Sequence, residues 1–213
     1  MICRQLERIQ QAERLDTITV ATSTDRSDDA IAAASAAANV ECYRGDLDDV
    51  LDRVYRAAVS IEADHVVRLT ADCPLSDARI VDALIELHLT EDRDYSSNFL
   101  DRRYPDGLDA EIMSIEALEI AWRESSKRSD REHVTPYLYA DAERFSLGSL
   151  RCERNLAPLR WTVDHPEDLE FVTGVFALLY PKFPNFSMWD VVELLEQRPE
   201  LGQINSGLSQ YTS

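Results

Sequence analysis

Hydrophobic and polar positions along this chain switch repeatedly between a repeat of about 3.6 residues and a repeat of about 2. Ile2, Leu6, Ile9 and Ala12 recur at helical spacing on an otherwise charged segment, which predicts a helix over residues 2–14. Residues 17–22, Thr-Ile-Thr-Val-Ala-Thr, predict a strand. Ser27-Asp28-Asp29 can cap an alanine-rich helix over 29–38, and 40–43 reads as a short strand closed by Arg44-Gly45-Asp46. Val50, Leu51, Val54, Ala57, Ala58 and Ile61 stripe one side of a helix running from 48 to about 63. A strand then ends at Asp72, and Ile80, Val81, Leu84, Ile85 and Leu87 mark the next helix. This β-α-β-α-β-α alternation with short links implies parallel strands with helices on the sheet faces. A doubly wound domain normally opens with a strand, whereas this chain opens with a helix.

The second half is less regular. Residues 95–98 predict a strand, Tyr104-Pro105-Asp106-Gly107 a turn, and 109–113 a strand of alternating polarity. Ser114 can cap a helix over 116–125, and Asp130 one over 130–139 that Pro136 interrupts. Strands are expected at 145–150 and 160–163. Pro166 can open a helix to about 180, Ser187 can cap a last helix over 188–197, and the tail from Gly202 is expected to fray. No repeat or linker divides the chain, so 1–213 is read as a single domain.

The chemistry concentrates where strands run out. In His65-Val66-Val67-Arg68-Leu69-Thr70-Ala71-Asp72-Cys73-Pro74-Leu75, apolar β-branched residues lead to a carboxylate, and Pro74 stops further ladder pairing. Ligands of open α/β sheets bind beyond the carboxyl ends of the strands, which is where Asp72 falls. The competing role for Asp72 is to cap the helix that starts near Asp77. Arg160-Trp161-Thr162-Val163-Asp164-His165-Pro166 repeats the pattern, with Asp164 a metal ligand or a helix cap. Two such carboxylates can share one Mg²⁺, which takes oxygen ligands and bridges substrate phosphates. Arg131-Glu132-His133 could grip an acidic or hydroxylated ligand or form only a solvated first turn. Ser97-Asn98 and the run from Asp106 to Glu111 offer amide, hydroxyl and carboxylate groups suited to a polyhydroxylated ligand. There is no P-loop, dinucleotide-binding fingerprint or nucleophile elbow.

Charge changes the picture further. The net charge is −18, from 40 acidic and 22 basic residues, which argues against binding a nucleic-acid backbone. Lys127 and Lys182 are the only lysines, a bias that both a high-salt habitat and a GC-rich genome would produce. No apolar run is long enough to span a membrane, and the charged first 14 residues do not read as a signal peptide. Cys3, Cys42, Cys73 and Cys152 are scattered without a C-x-x-C pair, which fits reduced thiols and a cytoplasmic protein. Cys73 is read as a small buried side chain rather than a reactive thiol.

Several of these stretches, in order, carry a resemblance over nearly the whole chain. They are Val20-Ala21-Thr22-Ser23, Tyr43-Arg44-Gly45 with Asp49-Val50-Leu51-Asp52-Arg53, and the segment from Arg68 to Leu75. Ser97-Asn98, Tyr104-Pro105-Asp106-Gly107-Leu108-Asp109, Arg131-Glu132-His133-Val134-Thr135-Pro136 and Trp161-Thr162-Val163-Asp164 follow. Together they resemble the cytidylyltransferase family of spore coat polysaccharide biosynthesis protein F, related to the CMP-KDO and acylneuraminate synthetases. The resemblance implies a Rossmann-like nucleotidyltransferase fold of class α/β, with a mostly parallel sheet and helices on both faces. It implies transfer of CMP from CTP to a sugar acid for surface polysaccharide or glycan biosynthesis. The expected cofactor is Mg²⁺ and the expected partners are CTP and an acidic sugar, with no nucleic acid and no membrane; a homodimer is a permitted assembly. Residue by residue, it makes Asp72 and Asp164 the metal ligands and places Arg44, Asp49 and Arg53 near the nucleotide. Asn98, Asp109, Glu111, Arg131, Glu132 and His133 would face the sugar.

Two departures stand out. Ala71 occupies a position where the family usually has glycine. The family's opening strand and phosphate-cradling loop, resembling Q-A-R-x-x-S-x-R-L-P-G-K, are also not in these residues, a span of about 25–30 residues or one βα unit. An N-terminally incomplete chain is therefore expected, with two inner strand edges unpaired. The alternative function is a non-catalytic sugar- or nucleotide-binding remnant of the family.

Overall fold

The computed structural model describes residues 1–208, so the end of the expected frayed tail, 209–213, lies outside the described residues. The first amphipathic stretch forms α1 (Ile2–Ile9) and stops short of residue 14, because the N–H groups of Glu13 and Arg14 turn to the Asp82 carboxylate at 3.0 and 2.9 Å. β1 (Thr19–Ser23), a 3₁₀ turn (Arg26–Asp28), α2 (Asp29–Ala37) and β2 (Glu41–Gly45) follow. Next come α3 (Val50–Ser60), capped by Asp49, β3 (His65–Arg68) and α4 (Ala78–Glu91). The second half comprises β4 (Tyr95–Ser97), β5 (Glu111–Ser114), α5 (Ile115–Glu124), α6 (Arg128–His133), α7 (Pro136–Tyr139), β6 (Leu147–Ser149), α8 (Pro166–Leu179), α9 (Met188–Gln197) and α10 (Pro199–Gln203).

The strands form two sheets. β1 and β2 pair in parallel, with Ala21 opposite Tyr43. The other four run in the order β3-β5-β4-β6, in which β4 and β6 are parallel and β5 runs against both of its neighbours. The α/β architecture expected from the pattern stands, with β5 as the reversed strand. β1 and β3 lie in different sheets, and neither pairs along its second edge among the described residues. Val20, Ala21, Val67 and Leu69 beside those edges are only half-buried.

Alternation along the strands builds a core on each face. Val66, Met113 and Tyr95 pack against Leu51 and Ala58 of α3 and Leu118 and Ala121 of α5. Val67 and Ile112 point the other way, onto Ile9 of α1 and Val81, Leu84 and Ile85 of α4. A third cluster joins α8 and α9 to Leu75, Leu108 and Trp161. That cluster locks the segment carrying Asp164 against the rest of the domain.

Three expectations change. Residues 160–163 are not a ladder strand: the segment makes one bridge, Arg160 to Asp106, because its neighbours are turns rather than a strand edge. The helix expected over 130–139 splits into α6 and α7 at Val134, whose φ of 74° cannot continue a helix. Gly202 lies within α10, and Asn205 beyond it is buried, donating to the Arg160 carbonyl at 3.0 Å and to Asp168 at 2.8 Å.

Candidate active site

Beyond β3 the chain turns through Thr70–Ser76 and is braced from below by α1. Gln5 donates to the Thr70 carbonyl at 2.7 Å, and buried Arg8 donates to the Ser76 carbonyl at 2.9 Å. Asp72 does not cap the helix that follows. Asp77 caps α4, accepting from the Arg79 N–H at 2.9 Å, and also holds the Met188 N–H at 2.6 Å. Asp72 is thus left half-exposed in the turn beyond β3, and its one side-chain bond among the described residues is from the Cys73 thiol at 3.3 Å. Burial first, then the charge of Asp72, pushes the Cys73 thiol well above its ordinary range, which agrees with an inert thiol.

The Asp164 segment meets this turn directly: the Val163 N–H donates to the Asp72 carbonyl at 2.9 Å. Asp164 is not the cap of α8 either. That position is His165, whose N–H is held by Asp168 at 3.1 Å. Buried Arg160 fixes the segment, gripping Asp168 through two N–H groups at 2.9 Å and Asp164 at 2.6 Å. Burial pushes the Asp168 carboxyl up, but its bonds with Arg160, Asn205 and two backbone N–H groups bring it down to about 2. The two candidate metal ligands therefore sit on neighbouring segments, each with one carboxylate oxygen that makes no protein hydrogen bond among the described residues.

Gly107 makes this meeting possible. Its φ is +101°, and a Cβ there would lie 2.3 Å from the Thr162 nitrogen and 2.4 Å from the Trp161 carbonyl carbon. The Asp106 carbonyl accepts from the N–H groups of Trp161 at 2.6 Å and Thr162 at 3.1 Å. Asp106 and Asp109 are thereby carried to the rim. Arg102 grips Asp109 with a two-pronged contact, both bonds 2.8 Å. Burial, reinforced by the charge of Asp109, pushes the Asp106 carboxyl up to about 6. Burial also raises Asp109.

The remaining sequence candidates divide. Asp49 and Arg131, expected on opposite sides of the site, form one ion pair: Arg131 reaches Asp49 at 2.5 Å and the Trp122 carbonyl at 2.6 Å. Arg53 donates to the Asp46 carbonyl at 2.7 Å, while its Nε is buried without a partner. Glu111 is buried and bonded to Arg68, Tyr95 and Thr135. Asn98 faces the protein rather than a cleft: it is fully buried, donating to the Leu108 carbonyl at 2.7 Å and accepting from the Ala110 N–H at 3.0 Å. Arg44 turns to the connection that follows β1, where it binds the Ser23 and Asp25 carbonyls and Asp29. Glu132 and His133 are exposed on α6.

The sequence reading did not single out Arg68, Arg102, Arg160 or Asp168 as site-forming residues. A cation eight residues from its carboxylate across a turn, as in Arg160 and Asp168, leaves no local pattern to read. Among the described residues, no three His, Cys, Asp or Glu side chains converge in metal-holding geometry. Of two surface hollows, one of about 440 Å³ is lined by Arg160 and Asn205 with Trp161 and Phe171, and one of about 380 Å³ by Arg8 and Asp77; neither is lined by Asp72 or Asp164. No helix of the described residues is long and apolar enough to cross a membrane.

Comparison with known proteins gives a concordant result. The family profile described as "Cytidylyltransferase" matches residues 1–179. An uncharacterized protein of Methanocaldococcus jannaschii is 32% identical over 210 residues, covering 96% of this chain and 83% of its own. Spore coat polysaccharide biosynthesis protein SpsF of Bacillus subtilis is 27% identical over 188 residues, covering 87% of this chain and 77% of its own. Among solved structures, a cytidylyltransferase from Leptospira borgpetersenii superposes with a TM-score of 0.91 at 27% identity, over 99% of this chain and 87% of that one. A CMP:2-keto-3-deoxy-manno-octonic acid synthetase complexed with CTP superposes with a TM-score of 0.60 at 15% identity, over 83% and 87%, a likeness of fold.

Proposed function

We propose, from the premise that this chain belongs to the cytidylyltransferase family and is a nucleotidyltransferase of sugar biosynthesis, that it transfers CMP from CTP to a sugar acid. The observation that supports the reading most directly is the backbone bond from the Val163 N–H to the Asp72 carbonyl, which joins the two segments that carry Asp72 and Asp164. An oxygen of the acid acceptor attacks the α-phosphorus of CTP. The new oxygen–phosphorus bond forms as the bond to the β-phosphate oxygen breaks, and pyrophosphate leaves.

Mg²⁺ fits the residues present. Asp72 and Asp164 offer two hard oxygen donors, each with one oxygen that makes no hydrogen bond among the described residues, and no imidazole among those residues is bonded to either carboxylate. Mg²⁺ is commonly held by one or two carboxylates plus substrate phosphates and water, so the lack of a third protein ligand is no obstacle. Bound there, it would neutralise part of the phosphate charge. The protein's own task is positional. Arg160 fixes Asp164, α1 braces the Asp72 turn, and the contact at Gly107 keeps the two segments in register. A geometry held in advance costs no rearrangement when charge develops.

The test measures pyrophosphate release by the complete gene product with each of four nucleoside triphosphates, Mg²⁺ and a set of sugar acids. CTP with an acid should be strongly preferred. Asp72→Asn should lower turnover at least about a hundredfold with the circular dichroism spectrum unchanged. An equal rate with ATP or UTP, or an unimpaired Asp72→Asn enzyme, would reject the reading.

A further inference from the structure

Glu111 is an expensive residue to bury at the heart of a sheet. Its side chain is 4% exposed, and it stands opposite Arg68, the last residue of β3. Arg68 Nη1 donates to Glu111 Oε2 at 2.5 Å. The other oxygen, Oε1, accepts from the Tyr95 hydroxyl at 2.7 Å and the Thr135 hydroxyl at 2.5 Å. Thr135 reaches this place through an unusual turn. Val134 has φ 74° and ψ −56°, closed by the Thr135 N–H on the His133 carbonyl at 2.9 Å, a γ-turn of the strained kind. Left-handed backbone is an outlier for a β-branched residue and persists only where the surroundings enforce it.

Stability alone does not account for this arrangement. Apolar side chains of similar volume would hold the same strands without desolvating a carboxylate. What the network accomplishes is to aim one guanidinium. Arg68 uses only Nη1 on the protein, leaving Nε and Nη2 without a hydrogen-bond partner among the described residues, and its side chain keeps 20% of its exposure. Arg53 of α3 lies within electrostatic reach of it and brings a second positive charge into a protein of net charge −18. Asp109, two residues before Glu111, lies within electrostatic reach of both Glu111 and Asp72. Arg68 closes β3 on the segment that turns directly into Asp72, one of the carboxylates proposed for the metal.

The geometry points to Arg68 as the residue that receives the anionic group of the acceptor, with Glu111, Tyr95 and Thr135 as positioning residues. This inference rests on the reading above that the acceptor is anionic, and it deepens that reading by naming the group that selects it. A guanidinium presenting two adjacent N–H groups suits a carboxylate or a phosphoryl group, each of which offers paired oxygens.

Two measurements test it on the complete gene product. In kinetics with CTP, Mg²⁺ and the best acid of the set, Arg68→Gln should raise the acceptor KM about 10- to 100-fold while the CTP KM stays within about twofold. Arg68→Lys should recover part of the loss. A CTP KM that rises as much as the acceptor KM, or an unchanged acceptor KM, would overturn the assignment. The second measurement needs no turnover. The side-chain Nε–H resonance of Arg68, identified by its loss in Arg68→Gln, is followed by NMR during titration with three probes. These are 2-keto-3-deoxy-manno-octonic acid, its neutral methyl ester and glucose 1-phosphate. A shift with the acid and not the ester supports a carboxylate site. A shift with the phosphate alone keeps the anion site and rejects the sugar-acid reading. No shift with either anion overturns the inference, whereas a shift with the acid in an enzyme that shows no transfer places the failure in the proposed reaction.

Discussion

Replacing Gly107 with alanine should cost this protein much of its stability. The added Cβ would sit 2.3 Å from the Thr162 nitrogen, 2.4 Å from the Trp161 carbonyl carbon and 2.8 Å from the Trp161 oxygen, all backbone atoms that no rotamer change can move. Alanine at a φ of +101° adds about 1–2 kcal/mol of conformational strain. To relieve the clash the 106–108 turn must lift from the 159–162 segment. That move endangers three backbone bonds: Asp106 N–H to Leu159, Trp161 N–H to Asp106 and Thr162 N–H to Asp106. At about 1 kcal/mol each, the sum is roughly 4–5 kcal/mol, a large share of the 5–15 kcal/mol typical of a folded domain. Urea denaturation followed by circular dichroism measures the difference. Gly207→Ala is the control, since nothing lies within 4 Å of the added carbon. Activity should fall further than stability explains, because the same turn carries Asp106 and Asp109 to the rim of the site. A Gly107→Ala protein within about 1 kcal/mol of the parent would refute the claim that this close approach organises the site.

Arg131→Ala should destabilise the fold by about 1–3 kcal/mol, since it strips the Asp49 cap of its partner and leaves the Trp122 carbonyl unmet. A double-mutant cycle with Asp49→Asn should show coupling, and additivity would contradict the pairing. His88 should make the fold acid-sensitive. It is fully buried, bonded to Ser96 and His65, and burial followed by the charge of His65 depresses its pKa to about 4 from 6.5. A base with a depressed folded-state pKa adds stability that is complete above about pH 6.5 and lost as the pH falls through about 4. The shift corresponds to about 3 kcal/mol, and His88→Asn should flatten the stability profile across that window; an unchanged slope would contradict it.

Much of the frame was readable because local periodicity and burial coincide. The stripe from Val50 to Ile61 became α3, and the apolar run before Asp72 became β3, although the strand stops at Arg68 and leaves Asp72 in the turn that follows. Strand direction was not readable, because alternation in Glu111–Ser114 is the same for parallel and antiparallel pairing. Trp161-Thr162-Val163 has strand composition but meets turns, so tertiary context overrode its preference. Two aspartates lay near the start of α4, and cap preference alone could not tell that Asp77 takes the role and leaves Asp72 unused. The split at Val134 runs against the residue's own preference, so no sequence rule would have placed it. Arg68 and Glu111, 43 residues apart, meet only through strand register.

The most direct measurement is the identity of the product. CTP, Mg²⁺ and the preferred sugar acid are incubated with the complete gene product, and the mixture is examined by mass spectrometry and phosphorus NMR. The account predicts one new species with the mass of the acid plus CMP less water, a single phosphodiester signal, and pyrophosphate in equal amount. A product retaining two phosphates, release of inorganic phosphate without a sugar nucleotide, or transfer that proceeds unchanged in Asp72→Asn would contradict it.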